Sequence, residues 1–354
     1  MRAWAVVENG QPLKEIELPT PEPKGTEVLL EVTHCGVCHS DLHIWEGYYD
    51  VGGGQKMSLK DRGVALPLAM GHEIVGRVAK LGPDATGVKV GDLRIVYPWL
   101  GCGTCETCLS EEDNMCVVAA RSLGVYQNGG YGTHVIAPHP RHLVDPGTLD
   151  PAVAATYACS GITVYSAIKK AMPLPPDEAV VLVGAGGLGL NAIAVLRALG
   201  HRNIVSVDID PVKLEASAKA GATKAVAGAR DGVTQRIVDA CGGPALAVID
   251  LVNGTTTARF AFGALRKGGR LIQVGLFGGE LMLPLPIMAI RALTVRGSYV
   301  GNPKELRELV KLAQDGALAA LPVATVPQAD AHDALMRLRD GKVTGRLVLR
   351  ADAA

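Results

Sequence analysis

The sequence predicts a two-domain α/β protein in which a β-rich domain is followed by a doubly wound parallel sheet. Up to about residue 150, short strand-like segments are separated by glycine and proline, which is typical of irregular β domains and barrels. From Glu178 onward, strand-like and helical segments alternate, and this pattern indicates a parallel sheet covered by helices. A chain of 354 residues is also too long for one ordinary core and suits two domains.

The elements follow from runs of apolar and β-branched residues. In the first part these runs predict strands at Glu27–Thr33, Glu73–Ala79 and Gly91–Tyr97. In the second part they predict strands at Val180–Val183, Asn203–Asp208, Ala245–Asp250 and Arg270–Val274. Helices are predicted over Leu188–Leu199, Lys213–Ala220 and Lys304–Leu312, and a closing strand over Gly345–Leu349.

The same pattern suggests where the domains begin and end. We expect a β-rich domain over residues 1–155 and a doubly wound domain over residues 156–299. Residues 300–354 are expected to form a segment that returns to the first domain.

The composition excludes several classes of protein. Hydrophobic residues make up 48% of the chain and charged residues 20%, as in soluble globular proteins. Basic and acidic residues balance at 35 each, without blocks of like charge, so we expect neither a nucleic-acid nor a membrane partner. The apolar stretch Ala179–Leu196 contains four glycines, which favour a strand, a turn and a helix start over a membrane span. Since no secretory signal opens the chain, we expect a cytoplasmic protein.

A glycine-rich turn predicts a dinucleotide site. Gly184, Gly186 and Gly189 fit the pattern G-x-G-x-x-G, between a strand of valine and leucine and an apolar helix. The first glycine permits the tight turn, the second lets the backbone approach a pyrophosphate, and the third lets the helix pack against the strand. The helix N-terminus then offers free N–H groups to the phosphates. A Rossmann domain with a bound dinucleotide is the resulting prediction.

Asp208 indicates which dinucleotide is bound. It ends the next strand, 19 residues after Gly189, where a carboxylate can accept hydrogen bonds from the adenosine ribose hydroxyls and would repel a 2′-phosphate. NAD is therefore favoured over NADP. The alternative is a glycine turn without a cofactor, with Asp208 as a solvated carboxylate.

Four of the eight cysteines form a cluster that predicts a structural zinc site. Cys102, Cys105, Cys108 and Cys116 lie within 15 residues, and structural zinc is bound tetrahedrally by four such sulfurs. In a chain without a secretory signal, clustered cysteines favour a metal over disulfides. An iron–sulfur cluster is the alternative, although the spacing does not match the common ferredoxin runs. Ordinary buried cysteines are the other alternative.

A second metal site is suggested by Cys38, His72 with Glu73, and Cys159. Catalytic zinc needs three protein ligands and one open position, and two cysteines with one histidine form a known set. These residues are far apart in sequence, however, so spacing alone does not join them. A lone cysteine is usually a small buried hydrophobe. From the residues alone, a metal site and three unrelated buried side chains are equally good interpretations.

Five motifs occur in the same order as in a known protein family. Together they give a resemblance that covers essentially the whole chain. They are Cys38–His43 (CHSDLH), Gly71–Glu73 (GHE), the four-cysteine loop, Cys159–Tyr165 (CSGITVY) and the glycine turn. In these motifs the sequence resembles the zinc-containing alcohol dehydrogenases of the medium-chain dehydrogenase/reductase superfamily, above all the bacterial, archaeal and yeast-type tetrameric members. The resemblance implies a GroES-like catalytic domain, a Rossmann domain that binds NAD, two zinc ions per chain, and a homotetramer or homodimer.

The resemblance also implies ligand sets for both metals. Cys38, His72 and Cys159 would bind catalytic zinc, and the four clustered cysteines would bind structural zinc. Glu73 corresponds to a residue behind the catalytic zinc that can approach it transiently. Asp41 corresponds to the carboxylate that orients the ligand histidine.

A proton relay and a cofactor site are implied in the same way. Ser40 would hydrogen-bond the alcohol, and His43 would continue the relay to solvent; a helix N-cap and a solvated histidine are the alternatives. The expected cofactor-binding residues are His39 and Arg346 at the pyrophosphate, Thr163 at the nicotinamide, Val274, Gly275 and Leu276 beside it, and Gly184, Gly186, Gly187, Leu188, Gly189 and Asp208.

The substrate pocket is less well determined. Aromatic residues at the positions of Trp45 and Trp99 line the alcohol pocket in similar enzymes, and core packing is the alternative. The stretch Tyr48–Leu66 is longer than in many relatives and could shape the pocket mouth or a subunit contact.

The implied activity is the zinc-dependent, NAD-linked oxidation of primary, secondary or aromatic alcohols to aldehydes or ketones, with the reverse reduction. A related zinc polyol or formaldehyde dehydrogenase is the first alternative. A non-enzymatic NAD-binding protein is the second, and the intact ligand triple argues against it.

Overall fold

The computed structural model describes residues 1–229 and 231–351. Its strands are β1 Arg2–Val6, β2 Lys14–Glu17, β3 Val28–Gly36, β4 Tyr48–Asp50, β5 Lys56–Ser58, β6 Leu68–Ala69, β7 Glu73–Leu81, β8 Leu93–Val96, β9 His134–Ala137, β10 Leu143–Val144, β11 Val180–Val183, β12 Ile204–Asp208, β13 Lys224–Ala227, β14 Ala245–Asp250, β15 Leu265–Gln273, β16 Thr294–Gly297, β17 Val323–Pro327 and β18 Arg346–Arg350.

The helices connect these strands, and most of the longer ones lie in the second half of the chain. They are α1 His39–Glu46, α2 Glu106–Leu109, α3 Pro151–Thr156, α4 Ile162–Ala171, α5 Gly187–Ala198, α6 Pro211–Ala220, α7 Val233–Cys241, α8 Thr255–Gly263, α9 Leu285–Ile290, α10 Pro303–Gln314 and α11 Ala331–Arg339. Within the described residues, no helix is both long enough and apolar enough to span a bilayer.

The first domain is built mainly from antiparallel strands, and only the pairing of β17 with β18 is parallel among the described strands of this domain. Strands β2, β1 and β6 form a small sheet, and a larger sheet has the order β10-β8-β7-β3-β18-β17, with β9 paired to β3. The nine-residue strands β3 and β7 pair along their whole length, from Val28 opposite Leu81 to Gly36 opposite Glu73. This pairing places the residues that follow β3 and those that precede β7 at the same end of the sheet.

The second domain is a six-stranded parallel sheet with the order β13-β12-β11-β14-β15-β16. Numbered along the chain this order is 3-2-1-4-5-6, which is the doubly wound Rossmann arrangement. All four residues of β11 are buried, as expected for a parallel strand that is covered on both faces by helices. The predicted fold class, a Rossmann sheet with a β-rich domain, is confirmed.

The last strand joins the C-terminal segment to the first sheet. Val348 of β18 lies opposite Gly36 of β3, in antiparallel pairing. Helix α10, which precedes this return, begins with a capping box. Asn302 accepts a hydrogen bond from the Glu305 N–H (2.8 Å), and the Glu305 carboxylate accepts one from the Asn302 N–H (3.2 Å).

The glycine turn between β11 and α5 generates a prediction about stability. A Cβ atom at Gly189 would lie 2.2 Å from the Gly184 carbonyl oxygen, whereas a Cβ at Gly186 would meet no atom within 4 Å. We expect Gly189→Ala to destabilise the fold by about 1–3 kcal/mol, because helix α5 must move away from β11. We expect Gly186→Ala to cost less than about 1 kcal/mol. Thermal unfolding of both variants measures the difference, and equal midpoints would contradict the expectation.

Candidate functional site

Three side chains from different parts of the chain meet at the end of the β3–β7 pair. Cys38 caps the N-terminus of α1, His72 directly precedes β7, and Cys159 lies in a π-helical turn, Tyr157–Gly161, between α3 and α4. All three are buried. Their ligand atoms lie within 4.8 Å of one another, and the two Sγ atoms are 3.9 Å apart. Turns of π-helix frequently mark functional positions.

The geometry and charge of this triple fit a zinc ion. Ligands about 2.3 Å from a tetrahedral zinc lie roughly 3.8 Å from each other, close to the observed separation of the two thiols. The hydrogen bond from Cys159 lowers the pKa of Cys38 well below its ordinary value in spite of burial, and His72 lowers it further. Cys38 is therefore poised as a thiolate, which is the form that binds metals. Two thiols and one imidazole leave a fourth position for a substrate.

Asp41 orients the histidine of the triple. Its Oδ1 atom lies 3.2 Å from His72 Nδ1, and its Oδ2 atom accepts hydrogen bonds from the Cys38 N–H (2.9 Å) and from the Tyr131 hydroxyl (3.2 Å). With Nδ1 directed at the carboxylate, His72 turns Nε2 toward the thiols. Burial alone lowers the pKa of His72, but Asp41 and Cys38 raise it well above its ordinary value. The negative charges of Asp41 and Cys38 beside His72 favour a cation at this site. Tyr131 was not singled out from the sequence.

Glu73 and Arg346 form a buried ion pair behind the triple. Arg346 Nη2 lies 2.5 Å from Glu73 Oε1, which also accepts a hydrogen bond from the Ser160 N–H (3.1 Å). Burial raises the pKa of Glu73 to about 6, although Arg346 opposes the shift. A Cβ atom at Gly187 would lie 2.4 Å from Arg346 Cδ. Arg346 therefore contacts both Glu73, the neighbour of His72 in the triple, and the start of α5.

The proposed relay residues lie on helix α1. Ser40 is half-buried, His39 is exposed and His43 is buried, with the rings of the two histidines 5.8 Å apart. Burial lowers the pKa of His43 to about 4, and His39 lowers it further, while Cys38 and the Leu276 carbonyl oppose the shift. His43 is therefore neutral near pH 7. Its Nε2 atom has no hydrogen-bond partner within the described part of the chain.

Aromatic side chains form the walls of the cleft in front of the triple. The Trp99 ring lies 5.0 Å from the His72 ring and 5.9 Å from the Tyr299 ring, and its N–H donates to the Ala158 carbonyl (3.0 Å). On the other side, the Tyr49 ring lies 4.8 Å from the His43 ring. The two tyrosines come from segments remote in sequence, and no local pattern indicates them.

The structure corrects the expectation for Trp45, which does not line the cleft. Its indole N–H donates to the Gln11 carbonyl (2.7 Å), and its ring lies 6.4 Å from that of His332 on α11. Residues two apart on a helix point to opposite sides. Because His43 faces the cleft, Trp45 must face the N-terminal segment and α11.

The four-cysteine loop brings its thiols together. The Sγ atoms of Cys102, Cys105, Cys108 and Cys116 all lie within 4.8 Å of one another. The separations are 3.9 Å for Cys102–Cys108, 3.6 Å for Cys105–Cys108 and 3.8 Å for Cys105–Cys116. A disulfide would require about 2.05 Å, whereas these distances match the edges of a zinc tetrahedron.

Buried polar groups attach this loop to the rest of the protein. Asp113 Oδ1 lies 2.7 Å from Arg141 Nη2 and 3.2 Å from His142 Nε2. Arg141 also donates to the Cys108 carbonyl (3.0 Å). The residue that follows Asp113 along the loop, Asn114, donates from its side-chain amide to the Tyr299 carbonyl (3.1 Å). The loop therefore contacts the wall of the cleft as well as its own domain.

The glycine turn has the shape that a pyrophosphate requires. Gly184 has φ +100°, a conformation that favours glycine. Gly186 faces open space, and α5 begins at Gly187, with Leu188 half-buried in its first turn. The turn lies at the carboxyl ends of β11 and β14, where the strand order reverses. Ligands of doubly wound sheets bind at such a switch point.

Among the other expected cofactor residues, Asp208 contacts this turn directly. Asp208, at the end of β12, accepts hydrogen bonds from the Ala185 N–H (2.7 Å) and the Asp210 N–H (2.9 Å). Thr163 is buried, and its hydroxyl has no partner among the described residues. A Cβ at Gly275 would lie 2.1 Å from the Val252 carbonyl oxygen, whereas Leu276 is largely exposed. Val274 is buried beside them. The unpaired Thr163 hydroxyl, the open space at Gly186 and the Asp208 carboxylate are features that suit the binding of a dinucleotide.

Comparison with protein families gives two matches that together cover most of the chain. The "Alcohol dehydrogenase GroES-like domain" matches residues 24–146, and "Zinc-binding dehydrogenase" matches residues 187–315.

Full-length relatives agree with these matches. The chain is 37% identical over 352 residues to an NAD-dependent alcohol dehydrogenase of Sulfurisphaera tokodaii, and 36% identical over 351 residues to one of Saccharolobus solfataricus, with 99% of each chain covered. The crystal structure of the alcohol dehydrogenase from Aeropyrum pernix superposes with a TM-score of 0.90 at 30% identity, covering 99% of this chain and 100% of that one.

The contacts of Asp41 predict how the triple responds to mutation. We expect Asp41→Ala to weaken zinc binding at Cys38, His72 and Cys159 by about 10- to 100-fold, because His72 loses the group that orients it. Tyr131→Phe removes only one partner of Asp41 and should have a smaller effect. Competition with a zinc chelator measures both affinities. Equal affinities in the wild type and the Asp41 variant would show that the carboxylate does not position the histidine.

Proposed function

The chain belongs to the zinc-dependent alcohol dehydrogenases of the medium-chain dehydrogenase/reductase superfamily, and we propose that its cleft oxidises alcohols to aldehydes or ketones with NAD and catalyses the reverse reduction. The observation that carries this proposal is the buried triple of Cys38, His72 and Cys159, which is joined to the glycine turn through Glu73 and Arg346. A metal-binding position and a dinucleotide turn thus share one cleft.

In the overall reaction, an alcohol and NAD⁺ give a carbonyl compound, NADH and a proton. Zinc held by the triple supplies Lewis acidity that lowers the pKa of the alcohol hydroxyl, and NAD supplies the hydride acceptor. The residues of the chain position the alcohol carbon against the cofactor and exclude water. The rings of Trp99, Tyr299 and Tyr49 are placed for both tasks.

Ser40 and His43 are the proposed proton relay. The Ser40 hydroxyl accepts the alcohol proton and passes a proton toward His43, which lies one helical turn further along the same face. A neutral His43 with a free Nε2 atom can accept it. From His43 the proton would reach solvent along the side of α1 that carries the exposed His39.

For the cofactor, we propose that Gly184, Gly186, Gly187, Leu188 and Gly189 hold the pyrophosphate together with His39 and Arg346. Asp208 would bind the adenosine ribose. Thr163, Val274, Gly275 and Leu276 would border the nicotinamide. The open space at Gly186 and the unpaired Thr163 hydroxyl support these roles.

We further propose two zinc ions per chain, one in each cysteine-containing site. The four-cysteine site would be structural, since four thiols close the coordination sphere. The proposed domain limits are 1–155 with 300–354 for the catalytic domain and 156–299 for the cofactor domain, and the pairing of β18 with β3 supports them.

The protein would act as a homodimer or homotetramer in the cytoplasm. Strand β16 ends its sheet, and exposed apolar side chains lie close to it in sequence. These side chains are Phe277, Met282, Leu285 and Ile290. Exposed apolar patches beside a sheet edge are common subunit contacts. All eight cysteines are unpaired, which suits a reducing compartment.

A polyol or formaldehyde dehydrogenase of the same superfamily is the alternative activity. The aromatic rings of the cleft walls favour an alcohol with an apolar body over a polyol.

The first test combines activity with metal content. We expect NADH formation with simple primary, secondary or benzylic alcohols, and about two zinc ions per chain. Cys38→Ala should abolish turnover and remove one zinc, while Cys105→Ala should remove the zinc of the four-cysteine site and leave the other zinc bound. Turnover of polyols or thiol adducts alone would sink the proposal, as would full activity of the Cys38 variant.

The second test concerns the choice of cofactor. Asp208→Ala should weaken NAD binding and reduce discrimination against NADP, because the ribose loses a partner and the 2′-phosphate is no longer repelled. Glu215→Ala, an exposed carboxylate on α6 paired with Lys219, is the matched control. The ratio of kcat/KM values for NAD and NADP measures the effect, and an unchanged ratio in the Asp208 variant would exclude this role.

A further inference from the structure

Helix α5 carries a buried polar side chain on a face where its neighbours in sequence are apolar. Asn191 is the one polar residue in the stretch Ala179–Leu196. It lies one turn beyond Gly187 and is 3% exposed. Burying an amide costs free energy unless the amide forms hydrogen bonds, so a leucine would pack there at lower cost. The partner of Asn191 therefore indicates its role.

That partner belongs to the turn that carries one thiol of the triple. The Asn191 amide donates to the Ser160 hydroxyl (2.9 Å), which in turn donates to the Thr156 carbonyl (2.9 Å). Ser160 directly follows Cys159 in the π-helical turn Tyr157–Gly161 and is itself buried. The hydrogen bond from Asn191 thus attaches this turn to the helix that follows the glycine turn.

A second connection between the same two segments runs through the buried ion pair. The Ser160 N–H donates to Glu73 Oε1 (3.1 Å), and Arg346 Nη2 lies 2.5 Å from the same oxygen. A Cβ at Gly187 would lie 2.4 Å from Arg346 Cδ. Since Gly187 and Asn191 are four residues apart, they lie on one face of α5. This face therefore contacts the π-helical turn directly, through Asn191, and indirectly, through the ion pair.

Among the three ligand residues of the triple, Cys159 depends most directly on α5. Cys38 caps α1 and His72 precedes β7, so both are placed by elements of the first domain. The turn that contains Cys159 packs against α5, as does the helix α4 that follows it. A displacement of α5 is therefore transmitted most directly to Cys159.

We propose that Asn191 is a positioning residue that couples the cofactor-binding turn to the metal-binding triple through Ser160. This inference rests on the proposed dehydrogenase function and adds a residue to it. Asn191 acts through Ser160 and not on the reacting atoms. Because coupling between two sites is reciprocal, a cofactor on the glycine turn changes the surroundings of a metal held by the triple. An occupied triple changes the affinity for the cofactor in return.

The first test is spectroscopic and needs no turnover. In enzyme substituted with Co²⁺, the visible absorption of the metal reports the geometry of its ligands. We expect saturating NADH to shift these bands in the wild type, and the shift to be lost in Asn191→Leu, which keeps the size of the side chain but removes the amide. Ser160→Ala removes the same hydrogen bond and leaves α5 unchanged, so the readout does not depend on one variant folding.

The second test is kinetic. The single-turnover rate of NADH formation should fall about tenfold in Asn191→Leu, because a small misplacement of a reacting group is costly. Ile193→Val, a buried change in the same helix, is the control. It should lower the unfolding temperature to a similar extent and keep the wild-type rate. The double variant Asn191→Leu with Ser160→Ala should be about as slow as the slower single variant, since both changes remove one shared hydrogen bond.

The outcomes separate the coupling from the activity. Cobalt bands that NADH leaves unmoved in the wild type, or shifts fully in Asn191→Leu, would overturn the coupling. Equal single-turnover rates in the Asn191 and Ile193 variants would do the same, because they would show a merely structural role. Absence of alcohol oxidation, together with a cobalt shift that Asn191→Leu loses, would overturn the proposed activity and uphold the coupling.

Discussion

The buried ion pair between Glu73 and Arg346 is the contact on which the arrangement of the cleft depends. Glu73 follows His72 of the buried triple, and Arg346 begins strand β18, which returns from the end of the chain. The Arg346 side chain packs against Gly187 of the glycine turn. Removing one partner of a buried pair leaves an unpaired charge at a cost of about 3–5 kcal/mol. One pair of side chains thus fixes the positions of the buried triple, the glycine turn and the C-terminal strand relative to one another.

Local sequence patterns predicted much of this molecule. The Rossmann sheet, the glycine turn and the four-cysteine loop each occupy one continuous segment. The spacing of residues within each segment was therefore enough to predict its structure. Strand β14 and the four-residue strand β11 were predicted with their observed limits. Such patterns succeed because hydrogen bonds and turns within a short segment depend little on the rest of the chain.

The catalytic cleft is different, because its residues come from segments that only the folded sheet brings together. Cys38 and Cys159 are far apart in sequence, so only the family resemblance predicted that they belong to one site. Tyr131 was not predicted, because it contacts Asp41 and affects His72 only through that carboxylate. Trp45 was placed in the cleft by resemblance to similar enzymes, but helix geometry turns its side chain toward Gln11 instead. Tyr49 and Tyr299 lie in two separate segments, and only their ring contacts with His43 and Trp99 show that they border the same site.

The hydrogen bond from Asn114 to Tyr299 has a consequence for how such a protein can evolve. It links a loop built for stability to the wall against which a substrate would rest. A lineage that lost the four cysteines would lose an anchor of its substrate pocket in the same event. The position of this wall therefore depends in part on a loop outside the triple, so a change in the loop can shift the wall without altering Cys38, His72 or Cys159.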